Sequence, residues 1–334
     1  MSEPSQEAEA IARTAREAAW GGQEATVAFL AAGEYNRNYT VETAGRRYVF
    51  RINTDTQLGI EDQIEYEFSV LEAVAPSGYT PRPVALGERS ETFPRGYLVM
   101  EWLPGKPLDY ARDYLAAAEL FAGLHALNPP AKASRELIRQ ANPIADIVAE
   151  SRGLLDRYPD HPMTTERTKL HRYGEKVARL AERLGPTMAD ERMMVVNTEV
   201  NSGNFLVSPE AIYLVDWEKA VVSQRYQDLG HFLVITTTRW KSDYVFSPEA
   251  RRDFLQRYAR ALEDLGETPP PMEQLDELTA ALEATIVLRG VSWCYMAYYQ
   301  YTETDRPIRN EHTFNTIRTY LSEIDELTSW VPIS

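Results

Sequence analysis

VVNTEVNSGNFLVSPEAIYLVDWE, residues 195–218, sets a glutamate, an asparagine and an aspartate in order between short apolar runs. Glu199 is followed five residues later by Asn204, and twelve residues further on by Asp216, which opens a loop after the run Ile212-Tyr213-Leu214-Val215. A carboxylate, an amide and a second carboxylate in this arrangement are the groups used to hold magnesium beneath a triphosphate and to meet an attacking hydroxyl. Mg²⁺ takes oxygen ligands in an octahedron and keeps several waters. One amide oxygen, from Asn204, and one carboxylate, from Asp216, therefore suffice beside the phosphates. Glu199 is left to stand near the hydroxyl.

Working outward, Met193–Val196, Asn204–Val207 and Ile212–Val215 read as short strands, an island in an otherwise helical C-terminal part. Helical spacing predicts Ala111–Leu127, Pro143–Tyr158, Arg167–Leu184, Tyr226–Thr236, Pro248–Leu265, Met272–Tyr301 and His312–Leu327. Ahead of them the pattern differs. Gln6–Ala19 predicts an opening helix stopped by Gly21-Gly22. Val27–Phe29, Tyr39–Val41 and Tyr48–Ile52 predict three antiparallel strands, parted by turn signals at Gly33 and Ala44-Gly45. Glu61–Ala75 puts Ile64, Phe68, Leu71 and Val74 on one helix face. Pro83–Leu86 and Gly96–Trp102 add two strands. The expectation is an α+β protein of two lobes. Residues 1–102 form a small five-stranded antiparallel sheet with one helix and the opening helix, and residues 103–334 form a larger, mostly helical lobe.

Composition narrows the function classes. The chain has 334 residues, 44% of them apolar, with 10 Phe, 19 Tyr and 6 Trp, enough for two packed cores. Its formal charge of -15, without a run of Lys or Arg, argues against a general nucleic-acid binder. The single Cys294 permits neither an internal disulfide nor a cysteine metal cluster, and five scattered histidines make no zinc pattern. No basic segment followed by an apolar run opens the chain, and no apolar stretch of about 18 residues occurs. The expectation is a cytoplasmic protein without a membrane partner. A Walker A sequence, a Gly-x-Gly-x-x-Gly turn, a zinc helix and a nucleophile elbow are all missing.

With these residues in view, the 195–218 stretch resembles the aminoglycoside phosphotransferase and choline kinase superfamily, which has a protein-kinase-like fold. There the corresponding text is His-Gly-Asp-x-x-x-x-Asn followed by an Ile-Asp-Trp segment. The likeness continues at Tyr226-Gln227-Asp228-Leu229, similar to the family's Tyr-Asp-Leu-Ala, whose aspartate is structural. Towards the N-terminus, the turn Gly33-Glu34-Tyr35-Asn36 looks like the loop over the nucleotide phosphates, and Tyr48-Val49-Phe50-Arg51 like the strand ending in a phosphate-contacting cation. The helix containing Glu67 looks like the one whose glutamate pairs with that cation, with Glu65 as the other candidate. Met100-Glu101-Trp102 looks like the hinge that meets adenine. The resemblance implies ATP and Mg²⁺ as cofactors, Asn204 and Asp216 as metal ligands, Glu199 as the catalytic base, and a small-molecule hydroxyl as acceptor. Oligomeric state is left open.

Asn197-Thr198-Glu199 departs from the family's His-Gly-Asp. Glutamate keeps the charge and the proton-accepting capacity, but its extra methylene moves the carboxylate by on the order of 1 Å. Three readings stay open: a working base, a degenerate kinase fold that binds or senses nucleotide without turnover, and a different nucleotide chemistry. Arg225 stands where the family often has Gly-Asp-Pro and borders the expected acceptor site. The aromatic-rich text around Trp293 and Tyr298 resembles a choline and ethanolamine kinase segment. It reads either as an aromatic box for an ammonium group or as core packing. Amino alcohols, aminoglycosides and sugars all remain possible acceptors.

Overall fold

Alternation of apolar side chains along five extended segments builds one antiparallel sheet. The computed structural model describes residues 3–33, 35–56, 59–129, 135–304 and 311–331. It opens with helix α1 (Glu3–Glu17) and continues through β1 (Ala25–Ala32), β2 (Asn36–Thr43), β3 (Arg46–Asn53), α2 (Gln63–Val74), β4 (Pro83–Gly87) and β5 (Tyr97–Glu101). The sheet order is β1-β2-β3-β5-β4. Register decides what each face carries. Tyr39 lies opposite Phe50, and Phe50 opposite Val99; all three are buried in the core that includes Ala10, Ile11 and Ala15 of α1. One residue along, Asn38 lies opposite Arg51 on the other face. Gly21 ends α1 as the Gly-Gly signal predicts. A Cβ there would lie 1.7 Å from the Ala15 carbonyl oxygen, so only glycine passes.

The chain then forms α3 (Tyr110–His125), α4 (Pro143–Asp156), α5 (Thr164–Ala189), β6 (Met194–Val196), β7 (Phe205–Val207), β8 (Ile212–Leu214) and β9 (Val221–Ser223). It finishes with α6 (Tyr226–Leu233), α7 (Ile235–Lys241), α8 (Pro248–Asp264), α9 (Met272–Glu303), α10 (Glu311–Ser322) and α11 (Ile324–Ser329). Tyr226–Thr236, expected as one helix, is two. Val234 is extended, with ψ 139°, at the head of a β-branched run that weakens helix formation. His312–Leu327 likewise divides at Glu323. β9 pairs with β6 and has only three residues, too few to show periodicity.

The described chain divides into two compact units, Met1–Pro107 with Leu127–Ile138 and Asn204–Val221, and Leu108–Ala126 with Arg139–Gly203 and Val222–Ser334. The β7–β8 hairpin therefore packs within the sheet-containing unit, where Leu214 N–H donates to the Tyr79 carbonyl and Tyr66 Oη–H to the Ala220 carbonyl. The second unit is built around α9, a 32-residue helix that α4, α5, α6 and α10 pack against.

Candidate functional site

Within the first unit, the face of β3 turned away from α1 presents Arg51, 6% exposed. Its Nη1 donates to Glu67 of α2 and, at 3.0 Å, to Asp216 Oδ1; its Nε donates to Asn38 Oδ1 at 2.9 Å. Burial works against the guanidinium charge, but the carboxylates of Glu67, Asp216 and Glu218 outweigh it and hold the group protonated. Burial also raises the Glu67 carboxyl, against the pull of Arg51. The choice between Glu65 and Glu67 is thereby resolved for Glu67, since Glu65 lies 3.6 Å from Arg135 instead.

The β7–β8 hairpin brings Asn204 and Asp216 to one end. Phe205 pairs with Leu214, Val215 N–H donates to the Asn204 carbonyl at 2.8 Å, and Asp216 follows with φ +65°. A left-handed aspartate is uncommon and turns the chain sharply at the point where its carboxylate is half-buried. Among the described residues no three His, Cys, Asp or Glu side chains gather as a metal cluster. An amide beside one accessible carboxylate suits Mg²⁺, which would draw its remaining ligands from phosphate and water, and suits poorly an ion that needs a full protein cage.

Asn36 and Gln63 tie this loop to its surroundings. Asn36 donates to the Glu218 carboxylate, Asn53 Nδ2 donates to Asn36 Oδ1 at 3.1 Å, and Gln63 Nε2 donates to the Glu218 carbonyl at 2.6 Å. The turn carrying Gly33, Tyr35 and Asn36 is thus connected to the loop that carries Asp216, with Gly33 N–H donating to the Asn36 carbonyl. Glu34 lies outside the described residues. Met100 is buried in β5 opposite Val49, Glu101 lies opposite Tyr48, and Trp102 follows with the Arg47 guanidinium 4.6 Å from its ring centre.

In the second unit the turn Asn197-Thr198-Glu199 is held by side chains from two helices, α6 and α9, and by its own Asn197. Asp228 of α6 accepts from the N–H groups of Asn197 and Thr198 at 3.0 and 2.9 Å, Asn197 Oδ1 accepts from Glu199 N–H at 3.0 Å, and His231 Nδ1 accepts from Val200 N–H at 2.9 Å. Arg289 of α9 donates from Nη2 to the Thr198 carbonyl at 2.9 Å. Thr198 has φ +67°, a conformation a β-branched residue rarely takes. Behind the turn, Asp228 meets His125 Nε2 at 3.3 Å and Tyr258 Oη meets His125 Nδ1 at 3.0 Å. Burial lowers the His125 pKa against the pull of Asp228, favouring neutral imidazole.

Arg225 is 6% exposed and donates to Tyr258 Oη at 3.2 Å, so it belongs to this buried chain of bonds. Around α9, Tyr295 stacks on His161 at 3.7 Å, Tyr299 on Tyr158 at 4.3 Å and Tyr301 on Phe314 at 5.2 Å. Tyr298 faces Phe314, and Trp293 meets Trp240 edge-on at 5.8 Å. Most of these rings are packing, and Tyr298 is apart from Trp293 in its partners. Sequence reasoning passed over Asn38, Glu218 and Arg289. Asn38 is signalled only by strand register and Arg289 only by a lone cation in an apolar helix.

Residues 26–278 match the phosphotransferase enzyme family. Among curated proteins none matches. Solved structures similar to this chain include a choline kinase from Cryptosporidium parvum Iowa II, 14% identical with a TM-score of 0.68 over 97% of this chain and 99% of that one. A Plasmodium vivax ethanolamine kinase is 13% identical, with a TM-score of 0.62 over 89% and 81%. A spectinomycin phosphotransferase solved with ADP and spectinomycin is 14% identical, with a TM-score of 0.57 over 94% and 93%. At such identities the likeness is one of fold, the kinase-like α+β architecture.

Proposed function

This chain belongs to the phosphotransferase enzyme family, and on that premise we propose that it transfers the γ-phosphate of Mg-ATP to a hydroxyl of a small molecule. The observation that carries the reading is the buried Arg51, bonded at once to Glu67 and Asp216, with Asn204 at the same end of the hairpin. Arg51 is a fixed cation for the phosphates, and Glu67 sets its orientation. Asn204 and Asp216 would hold Mg²⁺, which when bound neutralises charge on the phosphates. Gly33, Tyr35 and Asn36 would lie along the phosphates, and the β5 backbone from Met100 to Trp102 would meet adenine. Glu199 orients the acceptor hydroxyl and takes its proton. The hydroxyl belongs to an amino alcohol, an aminoglycoside or a sugar in the broad reading. No described helix is long and apolar enough to cross a membrane, in keeping with a cytoplasmic enzyme.

The Glu199 position also favours a second reading, a nucleotide-binding protein without turnover, because the turn is strained and its carboxylate sits one methylene further out. One experiment separates the two. Calorimetry of ATP binding with and without Mg²⁺ is combined with a screen of hydroxyl compounds. Glu199→Gln is expected to lower turnover by roughly a hundredfold or more while leaving ATP affinity unchanged. Tight Mg-ATP binding with no turnover of any acceptor supports the sensing reading, and absence of Mg-dependent binding overturns both.

A further inference from the structure

The geometry points to Arg289 as an acceptor-selecting residue, and to an acceptor that carries a carboxylate or phosphate besides its hydroxyl. This rests on the phosphotransferase reading above, and within it sets aside the cationic acceptors, the amino alcohols and aminoglycosides, in favour of an anionic one. Arg289 lies on α9 and is half-buried. Of its donors, only Nη2 has a partner among the described residues, the Thr198 carbonyl. No described carboxylate pairs with it, although acidic residues outnumber basic ones 50 to 35.

Arginines that brace this unit behave otherwise. Arg251 pairs with Glu283 and Asp276, Arg239 with Glu323, Arg192 with Glu267 and Arg167 with Asp156. Arg289 alone in this comparison has no carboxylate within ion-pair distance among the described residues, and it lies one peptide from Glu199. Guanidinium donors lie in a planar fork that matches the two oxygens of a carboxylate or the edge of a phosphate.

The surroundings suit a small anionic compound. Thr236 Oγ1 is buried and has no hydrogen-bond partner among the described residues. It lies against the residue after Arg289, since a Cβ on Gly290 would be 3.6 Å from it. Trp293, one turn beyond Arg289, meets Trp240, one turn beyond Thr236. Arg289, bonded to the turn bearing Glu199, is thus followed along α9 by a glycine packed on the buried Thr236 and by an indole ring that meets a second one. With the hydroxyl at Glu199, an acid group on the same small molecule would be drawn to Arg289, one peptide away along the turn, whereas a purely cationic acceptor would meet like charge.

The test uses the full chain with Mg-ATP and three sets of small hydroxyl compounds: hydroxycarboxylates and glycerol phosphate, neutral polyols, and amino alcohols. The wild-type protein is expected to show a kcat/KM at least tenfold higher for the anionic set than for the amino alcohols. Arg289→Gln is expected to reduce the anionic-to-polyol ratio by roughly tenfold to a hundredfold, the size of a charged hydrogen bond, and Arg289→Lys to restore part of it. A role confined to holding Thr198 would lower kcat for all sets alike and leave the ratio unchanged, which overturns the assignment, as does a wild-type preference for amino alcohols. Tryptophan fluorescence is titrated with glycerate and glycerol phosphate, with and without Mg-ADP. A response that Arg289→Gln abolishes supports the site even in a protein without turnover. No response in a protein that does bind Mg-ADP removes the Arg289 assignment and leaves the nucleotide reading standing.

Discussion

Thr198, at the position where the motif of the resembling family has glycine, takes a φ of +67°, a conformation glycine adopts without strain. Left-handed backbone costs an L-residue about 1–2 kcal/mol, and a β-branched side chain is the least suited to it. The turn persists because Asp228 and His231 of α6, Arg289 of α9 and the turn's own Asn197 bond its backbone. Thr198→Gly is therefore expected to raise stability by up to about 1 kcal/mol, read as a higher urea midpoint with unchanged slope. A lower midpoint would mean that the threonine side chain contributes more than its backbone costs. Asp216 is left-handed too, so both turns that carry the proposed chemistry hold strain that the surrounding bonds maintain.

At the scale of elements, the Glu199 turn depends on where α6 lies, and α6 lies where Gly230 lets it. A Cβ at Gly230 would come within 2.9 Å of Leu282 Cβ and 3.0 Å of the Glu283 backbone nitrogen on α9. Since the obstacle includes main chain, neither helix can yield by a side-chain rotation alone. Gly230→Ala is expected to cost roughly 1–3 kcal/mol by forcing the helices apart. Because Asp228 and His231 flank that position on α6, turnover is expected to fall as well, measured at a temperature where the variant is folded. An alanine variant with unchanged melting temperature would show that the two helices approach less closely than this.

For the molecule as a whole, the charge of -15 sets a general repulsion that salt relieves. Screening shortens from about 30 Å at 0.01 M to about 8 Å at 0.15 M ionic strength, so repulsion between distant carboxylates fades while short ion pairs keep more of their attraction. The melting temperature is expected to rise as sodium chloride goes from 0.01 to 0.15 M, and a fall would show that surface ion pairs outweigh the repulsion. The sheet strands and most helices were legible in sequence because alternation and helical spacing are local signals. Tyr226–Thr236 and His312–Leu327 were legible only as helical text, and their breaks at Val234 and Glu323 were not.

Sequence alone determined the order and spacing of Arg51, Glu67, Glu199, Asn204 and Asp216, because a family's motif is a linear property of the chain. Tertiary structure alone decided that Glu67 and not Glu65 meets Arg51, that one guanidinium bridges to Asp216, that Arg225 is committed to Tyr258, and that Arg289 has no carboxylate partner among the described residues. Partnerships between residues up to 182 positions apart leave no trace in local periodicity. They arise only when strand register and helix packing bring the side chains within bonding distance, and burial then makes each unmatched group costly.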